Sequence, residues 1–466
     1  ALLKGIMKVM AEREYNVPGS VFDYDFIEAH TTGFEAFKLA LDTVSWEEIL
    51  TQSGLSQTEI ESAADIYCKA KSTIICWAMG LTQHKNGVAN IQEVVNLLLL
   101  RGNIGRPGAG ACPVRGHSNV QGDRTMGIVE RPKKAFLDRL QEVMGFVVPR
   151  EHGVDTVEAI EVMAKGQAKV FFAMGGNFVA AAPDTEFTES AIRNCELTVQ
   201  VSTKLNRSHL VTGKTAIILP CLGRSETDSQ VGGPQFISCE NSMGIVTRSQ
   251  GKRTPASDSL QSEPAIVAGV AHHTLAKRSP VNWLTLTEDY DQIRDLIEAV
   301  IPGFENYNQR VRDPNGFVLP NGARERRWNT DTGLAAFTVH AIPTIPLADN
   351  QFLMATIRSH DQYNTTIYGL DDRYRGIYGE RRVVMMNPDD IEHAGLRPGQ
   401  RVDLTSHFDD GERHAPGFLI VAMAVPTRCV FTYFPEANPL VPVRSVAKLS
   451  NTPTSKSVVI SMQPAD

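Results

Sequence analysis

Two side chains of the 466-residue chain suggest chemistry by type and spacing: Arg115 and His117, in the run Pro113-Val114-Arg115-Gly116-His117. A guanidinium stays charged and presents a planar fork of donors, which suits two-point capture of a small carboxylate or oxyanion. A histidine two residues on can hold or pass a proton near neutral pH. From spacing alone, an arginine that only bonds the carbonyls of its own loop is an equal alternative. The surrounding stretch, Leu97 to Gly127, carries glycine at 102, 105, 108, 110, 116 and 122 and proline at 107 and 113. Glycine permits positive φ and close backbone approach, whereas proline fixes φ. The spacing therefore predicts an ordered loop and neither a helix nor a central strand. Ile104, Val114, Val120, Met126 and Ile128 interleave the glycines and argue against disorder, while Asn119, Gln121, Asp123 and Arg124 supply polar contacts.

The elements that would position such a loop follow an α/β pattern. Helices are expected over 21–32 and 33–49. Ser56 with Glu59 forms a capping box ahead of Ile60, Ala63, Ala64 and Tyr67 at helical spacing. The apolar run 73–79 reads as a buried strand running into Gly80, Gln83 and His84, the last taken as a solvated loop histidine. A helix carrying Ile91, Val94, Val95, Leu98 and Leu99 follows, then further helices over 130–165. Three more apolar runs, 169–174, 197–202 and 215–220, read as buried strands. Their exits carry Gly175 and Asn177; Ser202, Thr203, Asn206 and Arg207; and Gly223 and Asp228. Exposed N–H groups at such ends attract phosphate, and in open α/β sheets ligands bind at the carboxyl ends of strands. One such exit is ordinary; the repetition predicts a sheet edge built for a phosphorylated ligand. Glu226 and Asp228 could accept from a guanine edge or serve as plain helix-capping acids.

Residues 301–334, rich in Pro, Asn and Gly, read as a linker. From 335 the pattern changes to short β segments (337–342, 352–359, 381–386, 400–406, 417–425, 429–434 and 457–462), with a short capped helix in 387–400. Many short strands with one or two helices predict a β-barrel domain. Within it, Arg358, Ser359, Asp361, Gln362, Tyr363 and Asn364 follow an apolar strand directly. An exposed hairpin tip is the simple explanation for them, as an ordinary surface site is for Lys456. The fold class expected is α/β, with doubly wound parallel-sheet layers followed by a C-terminal barrel.

Bulk properties exclude several function classes. Hydrophobic residues make up 42%, charged residues 21%, and the net charge is −7, which disfavours a general nucleic-acid or anionic-membrane surface. No apolar run approaches the roughly 20 residues of a membrane helix. The seven cysteines are scattered and never form C-x-x-C, which argues for free thiols in a reducing, cytoplasmic setting and against a disulfide framework or a local metal cluster. Cys112, inside the glycine-rich stretch, is the one that stands out. The chain starts at Ala1 in what reads as the middle of a domain, so the expectation is the later part of a longer polypeptide.

The segment GNIGRPGAGACPVRGHSNVQG, residues 102–122, resembles the signature loop of the molybdopterin oxidoreductases, in particular the formate dehydrogenase alpha-subunit-like branch. Segments 73–83, 97–127, 170–177, 198–228, 352–366 and 430–459 fall in the family's order. The resemblance implies molybdenum or tungsten held by two molybdopterin guanine dinucleotides, Mo-bis(molybdopterin guanine dinucleotide). Arg115 would meet formate or another small oxyanion, with His117 beside it where many formate dehydrogenases have glutamine. Gly80, Gln83, Gly116, Asn119, the strand-exit residues, the 358–364 run, Asn438 and Lys456 would contact the cofactor. It also implies a double-psi-like barrel, an α/β part over 1–115, a second over 116–330 and the barrel over 335–466. The metal's protein ligand, and a 4Fe-4S cluster where one exists, would lie in an earlier part of the polypeptide; an electron-transfer partner would complete the system. Alternatives are the same cofactor fold acting on another oxyanion or an N- or S-oxide, and a non-catalytic nucleotide-binding or assembly protein.

Overall fold

The computed structural model describes residues 1–275 and 278–465. The chain forms two compact units: the first comprises Ala1–Val114, Asn321–Asp361 and Gly369–Asp466, the second Arg115–Pro320 and Gln362–Tyr368.

In the first unit, helices Leu2–Asn16, Tyr24–His30, Phe34–Thr43, Trp46–Ser53, Gln57–Lys69 and Gly87–Leu100 pack around Met7, Met10, Phe37, Leu41, Ile49, Ile60 and Leu98. Local chemistry sets their ends. The Asp23 carboxylate accepts from Phe26 N, and Ser56 and Glu59 form the expected reciprocal cap. The single helix expected over 33–49 is two, because Ser45 caps a new one at Trp46. A buried ion pair, Lys4 Nζ to Glu93 Oε1 at 2.8 Å, joins the first and last of these helices. Strands Ile74–Trp77 and Gly110–Pro113 pair in parallel. The glycine-rich stretch thus contains a short strand, and also a short helix, Val120–Thr125, against the sequence expectation. Gly110 opens the strand and Gly122 sits within the helix, while Gly102, Gly105, Gly108 and Gly116 lie before or between the two, so each element stays short.

The rest of the first unit is a six-stranded sheet in the order Gln351–Ile357, Cys429–Tyr433, Val383–Met386, Gly411–Ala422, Arg401–Phe408, Val458–Pro464, whose last strand pairs back with the first. Phe352, Met354, Val384, Met386, Val402, Leu404, Phe418, Ile420, Val430 and Ile460 fill its interior. Asn387 caps the expected helix, Pro388–His393. The strand expected at 337–342 does not form. Only Ala335–Ala336 pairs, with Thr31–Thr32, and Thr338 N–H is taken by Asn96 Oδ1 at 3.0 Å.

The second unit holds a parallel sheet, Val170–Met174, Leu197–Ser202 and Thr215–Pro220 in sequential order. A doubly wound order reverses about its first strand, and this sheet has too few strands to do so. The strands expected to be buried are only partly so. The central one is covered on both faces, but Val170 is 56% and Ile217 42% exposed on its neighbours, as is Ile74 (54%) in the two-stranded sheet. The linker expected at 301–334 does contain the crossing between the two units, at Pro320/Asn321, but its first part belongs to a core. Phe304, Tyr307, Val311 and Phe317 form a buried cluster with Val246, because aromatic rings between the turns have a core to fill.

Candidate functional site

The three strand exits of the second unit converge. Gly175, Asn177, Ser202, Thr203, Asn206, Gly223 and Asp228 line one cavity of about 480 Å3, within the range of small-molecule sites. Internal hydrogen bonds fix this edge. Asn206 Nδ2 donates to Gly176 O at 2.7 Å, and Ser208 Oγ donates to Asn177 Oδ1 at 2.7 Å. Arg207, expected here, is exposed and opens a short 3-10 helix instead; Lys204 and Arg224 supply the cavity's positive charge. Glu226 is occupied: its carboxylate accepts from Gly223 N and from Ala256 N at 2.7 Å. The Asp228 carboxylate is held by Tyr290 Oη and by Gln230 Nε2 at 2.6 Å, and still has lone pairs to offer. Burial pushes Glu263, also in the lining, above the usual carboxylate range, with Arg224 opposing.

Glu263, Tyr290 and Thr365 escaped the sequence reading. Glu263 could have been caught as the acidic start of helix Glu263–Leu275. Nothing in the sequence joins Tyr290 to Asp228.

Elsewhere in the same unit, Arg115 is exposed. Its Nε and Nη2 each lie 3.4 Å from Gln121 Oε1, and its N–H bonds Ser242 Oγ at 3.0 Å. No carboxylate pairs with it among the described residues, so its fork is open to an anion. Gly116 is likewise exposed. Asn119 plays a framework part: its Oδ1 accepts from Glu240 N at 3.0 Å. His117 is met from residues 362–368. Asn364 Nδ2 donates to Nε2 at 2.8 Å, and Tyr363 Oη lies 3.0 Å from Nδ1. Asn364 Oδ1 is buried without a hydrogen-bond partner among the described residues.

In the first unit, Gly80 lies in the short helix Met79–Thr82, and a Cβ there would meet nothing within 4 Å. His84 is not a solvated histidine: Nε2 bonds Gly80 O at 2.8 Å, and burial lowers its pKa, with that bond opposing and the Lys456 charge adding to the fall. Lys456 N–H donates to Gln83 O at 3.1 Å, which brings two predicted residues together. Lys456 Nζ is bound to Thr356 O, and burial, then the Arg358 charge, brings it down to about 8. Burial also lowers Arg358, whose guanidinium stacks over Phe434 at 5.2 Å. No carboxylate pairs with Lys456 or Arg358 among the described residues. Ser359 is structural, its Oγ taking Arg381 Nη1 at 2.9 Å. Asp361 makes a long exposed pair with Arg373, at 3.8 Å. Asn438 is buried at the head of a 3-10 turn. Nearby, Asp372 is held at about 2; burial would raise it, but bonds from Tyr433, Arg375 and His360 prevail.

These features fit a long anionic dinucleotide. Gly176 sits at φ +73° in the cavity lining, and a Cβ there would meet nothing within 4 Å, so bare backbone can approach phosphate. The polar lining combines hydroxyls and amides with two cations, Lys204 and Arg224, and three carboxylates, Glu226, Asp228 and Glu263, of which Glu226 is engaged by backbone N–H groups. Lys456 and Arg358, which no carboxylate meets among the described residues, add positive charge in the first unit.

The profile described as "Molybdopterin oxidoreductase" matches residues 12–220, and that described as "Molydopterin dinucleotide binding domain" matches 352–459. An uncharacterized oxidoreductase of Mycobacterium tuberculosis is 49% identical over 470 residues, covering 100% of this chain and 60% of the relative. The chain therefore spans about three fifths of that relative's length. The F420-dependent formate dehydrogenase 1 subunit alpha of Methanococcus maripaludis is 29% identical over 234 residues, 49% of this chain and 33% of the relative. Among solved structures, acetylene hydratase from Pelobacter acetylenicus superposes with a TM-score of 0.65 at 13% identity, covering 100% of this chain and 70% of that one, a likeness of fold alone. From the two profiles, which together match residues 12–220 and 352–459, the chain belongs to the molybdopterin oxidoreductase family.

Proposed function

We propose that the chain is the later part of a cytoplasmic oxidoreductase that binds a molybdenum or tungsten bis(molybdopterin guanine dinucleotide) and oxidises formate or a closely similar small oxyanion. One observation carries the cofactor reading: seven predicted residues from three separate strand exits line a single cavity. That cavity would take one guanosine diphosphate end. Lys456, Arg358, Gln83 and Asn438 of the barrel-bearing unit would meet the other dinucleotide.

When bound, the cofactor supplies a two-electron acceptor. The chain's residues bind and orient. The Arg115 fork captures the substrate carboxylate and fixes which end faces the metal. Because Asn364 donates to Nε2, His117 carries its proton on Nδ1, directed at Tyr363 Oη.

A second reading is supported by the relatives: the formate dehydrogenase match covers under half of the chain, and the Mycobacterium tuberculosis relative, matched over the whole of this chain, has no stated substrate. In it the same site takes another oxyanion or an N- or S-oxide. Fold does not decide between them, since the solved neighbour is named a hydratase. The test uses the full-length protein in a dye-linked assay with formate, nitrate and sulfoxides. Formate-dependent dye reduction, lost in Arg115→Ala at unchanged molybdenum content, is expected. Turnover of nitrate or a sulfoxide alone selects the second reading. Absence of both molybdenum and guanine nucleotide overturns both and leaves an assembly role.

A further inference from the structure

Cys76 and Cys112 lie 36 residues apart in sequence, and no cysteine motif links them. The fold makes them neighbours. Strands Ile74–Trp77 and Gly110–Pro113 run parallel, and in their register Cys76 stands directly beside Cys112. Residues so paired project from the same face of a sheet. Adjacent strands lie about 4.7–4.9 Å apart, inside the roughly 4.4–6.8 Å Cα span of a disulfide. Cys76 is exposed and Cys112 half-buried.

We propose that Cys76 and Cys112 form a redox-active dithiol, oxidised by hydroperoxides to an intramolecular disulfide and returned by thiols. Two thiols and one hydroperoxide give one disulfide, one alcohol and one water. The Cys76 thiolate attacks the distal peroxide oxygen, forming a sulfenic acid and releasing the alkoxide, which takes up a proton. The Cys112 thiolate then attacks the Cys76 sulfur, the S–O bond breaks, and hydroxide leaves as water. Both sulfurs are oxidised by one electron each, and the O–O bond takes up the pair. Burial, with Cys76 beside it, pushes the Cys112 thiol up, so the closing step quickens as pH rises. The bond would tie the strand that leads into Gly80–His84 to the strand that leads into Arg115. The inference is independent of what the enzyme oxidises.

The test is peptide mapping of the full-length protein after hydrogen peroxide, without reductant. The expected product is one cross-linked peptide pair containing Cys76 and Cys112, about 2 Da lighter than the two thiol peptides and restored by dithiothreitol. Phenylarsine oxide, which bridges paired thiols, should bind at this site and protect both cysteines from alkylation, and Cys76→Ser or Cys112→Ser should abolish that protection. Mapping of the unsubstituted protein decides the matter even where a variant fails to fold. Separate overoxidation of the two cysteines, or pairing of Cys112 with Cys68 instead, overturns the proposal.

Discussion

Tyr363 Oη lies 3.0 Å from His117 Nδ1, and the two rings meet edge to face with centroids 5.1 Å apart. The residues are 246 positions apart in the chain, and both belong to the second unit. Asn364 occupies the other ring nitrogen. Between them they engage both nitrogens of an imidazole that is itself exposed, which favours one tautomer and one orientation.

Tyr363→Phe removes the acceptor for Nδ1–H and keeps most of the ring contact. The lost bond is worth about 0.5–1.5 kcal/mol. Nitrogen-15 spectra of His117 should shift from a dominant Nδ1–H form to a mixture, with kcat reduced more than KM. A spectrum identical to that of the unsubstituted protein would mean that Tyr363 does not set the tautomer.

Lys456 is expected to leave a signature in the pH dependence of stability. Its folded value is about 8 against an ordinary 10.5. Below about 8 both folded and unfolded chains hold the proton, and the fold bears the full cost of the buried charge. Between 8 and 10.5 the unfolded chain holds more protons, so stability rises with pH through that window. Lys456→Met should lack this rise, so the difference between the two proteins' urea midpoints should change between about pH 7.5 and pH 10.5, in favour of the unsubstituted protein at the higher pH. A difference that stays flat with pH would show that the ammonium is well solvated or paired. Inorganic pyrophosphate, which would favour the charged form, should protect the unsubstituted protein better at about pH 7 than at pH 10.

The helix core supplies a test of a different kind. Lys4 and Glu93 side chains are only 6% and 9% exposed. Glu93→Gln leaves the ammonium buried without a countercharge, a change that costs about 3–5 kcal/mol in comparable settings. The double variant Lys4→Met with Glu93→Leu should recover most of that loss. A single-variant cost under about 1 kcal/mol would mean that water reaches the pair.

How far the sequence revealed these features depended on their range. Capping at Ser56 and the exits at Gly175, Ser202 and Gly223 are local, written within a few residues of each other, and could be read directly. The Lys4–Glu93 pair could not, because isolated charges in a helix ordinarily face solvent. The partial exposure of Val170 and Ile217 was hidden for a related reason: an apolar run signals a strand but not how many neighbours the strand will have. The 301–320 segment misled because its Pro-Asn-Gly punctuation outweighed Phe304, Tyr307 and Phe317, whose packing depends on Val246. His117 was picked out by resemblance, but its partners Tyr363 and Asn364 arrive from a distant loop. Arg207 was misplaced because a strand exit shows which residues follow, not which way each one points.

The cavity can be tested at a single backbone position. Gly176 adopts φ +73° beside Gly175 at φ +66°, and both line the site. A β-branched residue is strained in that conformation, by about 1–2 kcal/mol, and its methyls would occupy space now open over the backbone. Gly176→Val should therefore lower the guanine nucleotide released by acid extraction of the full-length protein several-fold, with far-UV circular dichroism unchanged. Gly166→Val separates strain from blockage: Gly166 has φ +66°, and a Cβ there would likewise meet nothing within 4 Å, but it lies outside the lining. That variant should lose comparable stability and keep its nucleotide. Equal nucleotide loss in both would assign the effect to weakened folding and remove the cavity from the cofactor-binding surface.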